Sequence, residues 1–359
     1  MKPFSWSLIS NYALLAAASP LREPGMLVNG RAASAVSEDM LNTLRLYSQY
    51  AGASYCNSES PAGSVVTCAD DACPAVTAAG AKIVASFQGS STDIQGFVST
   101  DDQNQVIVLS VRGSHSVRNW ITDFTFLQKD CGFISGCKVH EGFAKAWEEI
   151  SEAALAAVQT AKAANPSYKI VFTGHSLGAA VSSLGAAYAR ELGLVVDIIN
   201  YGSPRVGNAV FAQFVSDQPG VEYRVTHLDD PVPRLPPIIF NYAHTTPEYW
   251  LSNGEATTID YDVDDIKECD GVKSLGCNAM TTGLDTDAHS YYLGPISACS
   301  PDGIAFKKRD VNALSQAETD YYWWQATAPP TDVDDAGLEA QLNAWAEQDT
   351  KVIMEKGGA

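Results

Sequence analysis

The chain has 359 residues, 46% of them hydrophobic, and its 42 acidic against 23 basic residues set a formal net charge of −19. That balance argues against nucleic acid or an anionic membrane as an electrostatic partner, because both repel a negative surface. The length suits one large domain or two smaller ones, and no internal apolar run is long enough to span a membrane.

At the N-terminus, Lys2 precedes the apolar stretch Phe4–Ile9 and then Ala13–Ala18, with Ser19-Pro20 just beyond. A short apolar core ending in small residues predicts a signal peptide over 1–18 and hence a secreted, extracellular protein. Residues 19–35 are punctuated by Gly and Pro, with Arg31 as a processing point, and read as a propeptide. A helical pattern follows at Met40–Tyr47, then a cysteine-rich stretch from Cys56 to Cys73. Eight cysteines in an oxidising compartment imply four disulfides. Proximity pairs Cys68 with Cys73, Cys131 with Cys137 and Cys269 with Cys277. Cys56 is left for Cys299, a closure of the core worth about 5 kcal/mol on the loop-entropy model. There is no C-x-x-C and no histidine pair at ligand spacing, so neither a metal nor an organic cofactor is expected.

Gln105–Val111 is a nearly continuous apolar run, the pattern of a strand covered on both faces. A helix is predicted over 140–164, a strand at Lys169–Thr173, and a helix at Ala179–Arg190. Further strands are predicted at Val195–Ile199, leading into Gly202-Ser203-Pro204-Arg205, at Tyr223–Thr226, leading into Asp229-Asp230-Pro231, and from Thr245 to Leu251. Strands alternating with helices of this length imply right-handed crossovers and a mostly parallel sheet with helices on both faces, an α/β domain over 36–306. Residues 307–359 form an acidic extension. It opens with Lys307-Lys308-Arg309, and from Asp310 onward it holds ten acidic and two basic residues. Within it Leu338, Leu342, Trp345 and Val352 recur at helical spacing, which predicts one amphipathic helix. The helix either docks on the body or belongs to an appendage cleaved after Arg309.

The chemistry centres on Gly174-His175-Ser176-Leu177-Gly178, set between the predicted strand and helix. Such a turn is so sharp that only glycine fits two residues either side of the serine, and it lifts Ser176 clear as a nucleophile. A serine hydroxyl needs a histidine to take its proton and a carboxylate to orient that histidine, in the chain order serine, acid, histidine. That order sets aside His115, His140 and His175, while His227 belongs to the strand that delivers the acid. Of the remaining two, His289 suits the base because Cys299 anchors its loop, and His244 has a structural role. Asp230 is preferred to Asp229 as the acid because the stiff run Pro231–Pro237 fixes its direction. The backbone N–H of Leu177 and the loop Arg112-Gly113-Ser114, with Ser114 as donor, would form the oxyanion hole.

With these residues in place, the chain resembles the secreted lipases of filamentous fungi, the class 3 lipase family with the α/β-hydrolase fold. The likeness is carried by Arg112-Gly113-Ser114, Asn119-Trp120-Ile121, the Gly174–Gly178 motif, Tyr201–Asn208, Asp230–Pro237, His244–Trp250, and His289 with Cys299. It implies the same triad and oxyanion residues. It also implies a mobile lid at Ser116, Val117, Arg118, Asn119, Trp120, Ile121, Thr122 and Asp123, whose apolar face would cover the acyl groove in water and meet lipid at an oil–water interface. His175 is grouped with these as a substrate-side residue. Ala179 departs from the glycine common in relatives, and the acidic extension is missing from the shorter members.

The leading expectation is a monomeric lipase acting on acylglycerols through an acyl-enzyme. The alternatives are a phospholipase A1 or feruloyl esterase of the same fold, and, more remotely, a non-catalytic binding protein on a hydrolase scaffold.

Overall fold

Strands β1 (Lys82–Gln88), β2 (Gln95–Asp101) and β3 (Val106–Val111) form an antiparallel ribbon on which the rest of the sheet is built. Then β6 (Lys169–His175), β7 (Val196–Tyr201), β8 (Glu222–His227) and β9 (Glu248–Leu251) add in parallel, and β10 (Ile266–Cys269) closes the far edge antiparallel. The spatial order is β1-β2-β3-β6-β7-β8-β9-β10. A separate hairpin, β4 (Gln128–Asp130) with β5 (Lys138–His140), is closed by the Cys131–Cys137 disulfide. This computed structural model describes residues 36–69, 71–113, 126–272, 276–300 and 334–357. The expected signal segment and propeptide, Ser114, the expected lid residues Ser116–Asp123 and the cluster Lys307-Lys308-Arg309 lie outside them.

The unbroken apolar runs follow from helices on both faces. In β3, Ile107, Leu109 and Val111 pack with Phe143, Trp147 and Ile150 of α3 (Glu141–Ala164) and with Val181 and Leu184 of α4 (Leu177–Glu191). Val106 and Val108 turn to the opposite layer, where α1 (Glu38–Asn57) buries Leu41, Leu44, Tyr47 and Tyr50. Successive strand residues point to opposite faces, so a strand buried on both has no polar position to spare. Each fully buried side chain of this kind contributes about 2 kcal/mol. Short helices α2 (Pro74–Ala79), α5 (Ala209–Asp217) and α6 (Thr286–Ser290) fill the connections. Disulfides join Cys56 to Cys299, Cys68 to Cys73 and Cys269 to Cys277. Cys56, Cys68 and Cys299 lie close enough to hold an ion, but all three sulfurs are spent in disulfides, which leaves no thiolate.

The acidic extension supplies α7 (Asp335–Gly357), which packs against the core through Leu338 and Leu342. Trp345 meets Phe126 edge-on at 5.3 Å, and Phe126 lies 4.7 Å from Phe240. Asn343 accepts a hydrogen bond from Gly283 N at 2.8 Å. Asp349 accepts from Ile239 N at 3.1 Å and pairs with the buried Arg205 at 3.2 Å. The same guanidinium donates to the carbonyls of Arg234 and Pro236, so α7 is tied to the segment that follows Asp230. No helix among the described residues is long and apolar enough to cross a membrane.

Two stability measurements test this packing. Asp349→Ala strands a buried guanidinium and should cost about 3 kcal/mol, read as a Tm several degrees lower. In Glu222, burial raises the carboxyl from 4.5 to about 7, against the opposing effects of Thr245, Arg190 and Arg224. The folded state therefore keeps a proton that the unfolded chain has released, and stability falls as pH rises from 4.5 to about 7. Glu222→Gln should remove about 3 kcal/mol of that fall, measured by denaturant unfolding across the same pH range.

Candidate active site

Strand β6 ends at His175 and α4 begins at Leu177, so Ser176 alone makes the turn, at φ 59° and ψ −128°. A Cβ at Gly174 would stand 2.5 Å from the Gly178 carbonyl group, and one at Gly178 would stand 2.1 Å from Val111 O. Glycine at both positions is therefore a steric requirement of bringing strand and helix this close. Ser176 N donates to Tyr201 O at 3.0 Å, which fixes the turn to β7. The N–H of Leu177 opens the first turn of α4, where backbone donors have no partner within the helix and the helix dipole favours negative charge. Gly113, at the end of the β3 strand segment, runs so close that a Cβ there would lie 3.1 Å from Ser176 Cβ.

The expected acid follows β8. Asp230 is fully buried, and its Oδ2 lies 2.8 Å from His289 Nδ1. Oδ1 accepts from Val232 N at 2.9 Å, within the proline-rich exit, and Tyr292 OH donates to Oδ2. Asn278 Nδ2 holds the Asp230 carbonyl at 3.0 Å. With three contacts on its oxygens and its own backbone carbonyl held, the carboxylate has one orientation. Asp229 is only partly buried and does not contact His289, its side chain lying instead toward Gly283. Burial raises its carboxyl above the usual range.

His289 is fully buried on α6 and its ring lies 4.4 Å from that of His175. A carboxylate only accepts, so Nδ1 of the neutral ring carries the hydrogen and Nε2 is the basic nitrogen. Ser176 Oγ and His289 Nε2 are both buried, and neither has a hydrogen-bond partner among the described residues. A hydroxyl and a basic nitrogen held dry and unspent, above a carboxylate that fixes the ring, can pass a proton when an electrophile arrives.

The other histidines have different work. His140 caps α3 by accepting from Phe143 N. His244 Nε2 donates to Pro233 O at 2.6 Å. His175 is completely buried, with both ring nitrogens engaged by protein atoms, so it faces the core behind the serine and not the substrate side. The alternation of side chains along β6 accounts for this, since Ser176 stands on the crest and its neighbour points inward. His227, Tyr55, Tyr261 and Tyr292 were not singled out from sequence, because a buried tyrosine or histidine has no local signature that separates it from core. The lid assigned to Ser116–Asp123 lies outside the described residues.

The model of the Lipase (class 3) family matches residues 108–240, from β3 through the acid and its proline-rich exit. Secreted mono- and diacylglycerol lipase 1 of Fusarium solani is 44% identical over 343 residues, covering 95% of this chain and 96% of that protein. Secreted mono- and diacylglycerol lipase A of Penicillium cyclopium is 38% identical, covering 76% of this chain and 91% of that one. Among solved structures, the mono- and diacylglycerol lipase from Aspergillus oryzae superposes with a TM-score of 0.69 at 38% identity, covering 72% of this chain and 98% of that one. With the family model spanning the elbow and 44% identity extending over 95% of its length, the chain belongs to the class 3 lipase family.

Proposed function

We propose that this protein is a secreted carboxylic ester hydrolase that cleaves mono- and diacylglycerols at a lipid–water interface through an acyl-enzyme. The observation that carries the chemistry is the buried Asp230–His289 pair at 2.8 Å, with His289 Nε2 and the hydroxyl of Ser176 on its strained elbow both buried and both without a hydrogen-bond partner among the described residues. The likeness to the Fusarium and Penicillium enzymes supports the substrate class and the extracellular setting. In this reading Ser176 Oγ attacks the ester carbonyl while His289 Nε2 takes its proton, and Asp230 stabilises the imidazolium that results. The oxyanion is met by the N–H groups of Leu177 and Ser114. His289 returns the proton to the glycerol oxygen as the C–O bond breaks, then activates a water that releases the fatty acid. The segment Ser116–Asp123 acts as the lid, and its apolar residues Val117, Trp120 and Ile121 favour a lipid surface over a soluble aromatic ester. We further propose that the first 35 residues are a signal peptide and propeptide, and that the α7 extension is a docked part of the body.

Two experiments test this reading. Ser176→Ala should lower hydrolysis of emulsified diolein by at least about 10⁴-fold, and Asp230→Asn by about 10³- to 10⁴-fold, whereas Asp229→Asn should stay within about threefold. Comparable losses for the two aspartates would overturn the assignment of the acid. On a panel of monoolein, diolein, triolein, phosphatidylcholine and ethyl ferulate, the mono- and diacylglycerols should react fastest, with a rate jump at the onset of emulsion. Fastest turnover of phosphatidylcholine or of soluble ethyl ferulate would replace the substrate class proposed.

A further inference from the structure

Two buried histidines outside the proposed triad converge on the backbone that carries His289. His227 Nδ1 lies 2.8 Å from Ala288 O, and His175 Nε2 lies 2.8 Å from His289 O. Two consecutive carbonyls are thus each taken by an imidazole. A carbonyl only accepts, so the hydrogen resides on Nδ1 of His227 and on Nε2 of His175. The remaining nitrogen of each neutral ring must accept, and each meets a tyrosine hydroxyl. Tyr261 OH stands 2.7 Å from His227 Nε2, and Tyr55 OH stands 2.9 Å from His175 Nδ1. The four side chains are almost wholly buried. Burial also disfavours the charged form of both imidazoles, lowering the pKa of His227 and, with the neighbouring His289, that of His175.

The donors and acceptors come from separate parts of the fold. Tyr55 lies in the last turn of α1, beside the Cys56–Cys299 disulfide, and its hydroxyl packs so close to Gly113 that a Cβ there would stand 2.4 Å away. His175 ends the strand that makes the elbow, and His227 ends the strand that leads to Asp230. Tyr261 follows β9, and its carbonyl is held at 2.6 Å by Arg45 of α1. The helix bearing His289 has only five residues, too few for its own hydrogen bonds to hold a ring in place. A buried polar core satisfied for stability alone has no reason to aim two Tyr–His pairs at one dipeptide.

We propose that Tyr55–His175 and Tyr261–His227 are positioning pairs that clamp the Ala288–His289 peptide, so that Nε2 of His289 is held in line with Ser176 Oγ. The inference rests on Ser176, Asp230 and His289 being the triad. His175 would also tie the oxyanion loop to the base, through Tyr55 and Gly113, so that the two shift together or not at all.

The test separates the donor to the carbonyl from the rest of the ring. His175→Gln and His227→Asn each retain an amide N–H at the position of the donating nitrogen, whereas His175→Leu and His227→Leu do not. Hydrolysis of emulsified diolein by the leucine variants should show kcat lower by on the order of 10²-fold, the penalty of a small misplacement of a reacting group, with KM within about twofold. The amide variants should recover most of that loss. Tyr55→Phe and Tyr261→Phe keep the ring packing, fold irrespective of the leucine variants, and should each lower kcat about tenfold. In Tyr55→Phe/His175→Leu the losses should not add, because both act through one contact. Leucine variants that fold with the parental Tm and keep parental kcat would overturn the clamp, as would unchanged kcat in both phenylalanine variants. Should the leucine variants fail to fold, the phenylalanine pair decides. Ser176→Ala run alongside keeps the two ideas apart: activity surviving there defeats the triad itself, whereas an inactive Ser176→Ala beside a fully active His175→Leu defeats only the clamp.

Discussion

The backbone of Ser176 is the constraint from which the rest of the site follows. Its φ of 59° is a conformation that a residue with a side chain adopts at a cost of about 1–3 kcal/mol, and it persists only where the surroundings leave no alternative. Here the surroundings are β6, α4 and the end of β3, pressed together so closely that glycine is required at 174, against α4, and at 178, against Val111. That closeness in turn needs a rigid platform. The sheet supplies it, because β3, β6 and β7 are covered on both faces and cannot relax without opening a cavity in one layer or the other.

Around this fixed point the loops that carry Asp230 and His289 are held by polar contacts. Asp230 is oriented by Val232 N, Tyr292, Asn278 and His289. Loops at the carboxyl ends of parallel strands have no apolar layer beneath them, so their buried backbone groups must find hydrogen-bond partners or lose several kcal/mol each. Buried tyrosines and histidines serve because one ring donates and accepts in fixed directions. Arg205 plays the matching part on the outer side, taking two carbonyls of the acid's exit segment and the carboxylate of Asp349. The acidic extension is thus packed onto the segment that carries the proposed acid.

Much of the framework was legible in the residues. The runs at 105–111 and 169–173 are apolar through their centres, Val106–Leu109 and Ile170–Phe172, and they became β3 and β6 in the doubly covered centre of the sheet. The amphipathic spacing of Leu338, Leu342 and Trp345 became α7. Strands β1, β2 and β10 went unread, because β1 has an irregular register between Ile83 and Ala85 and β10 has only four residues. Helix α1 runs ten residues past the predicted Met40–Tyr47 segment. Its second half, Ser48–Asn57, mixes small and polar residues with Tyr50 and Tyr55 and is mostly buried, so tertiary contacts override the weak local pattern there.

By itself, the order of residues determined the α/β alternation, the elbow and the identity of the groups able to form a triad. Each of these depends on local sterics or on a periodicity that nearest neighbours along the chain already contain. Which of two adjacent aspartates reaches a histidine 59 positions away, what secures that histidine from behind, and that His175 faces the core were decided only by the tertiary structure. Such contacts join residues far apart in the chain, and their donors and acceptors become meaningful only when the sheet has brought the loop ends to one edge.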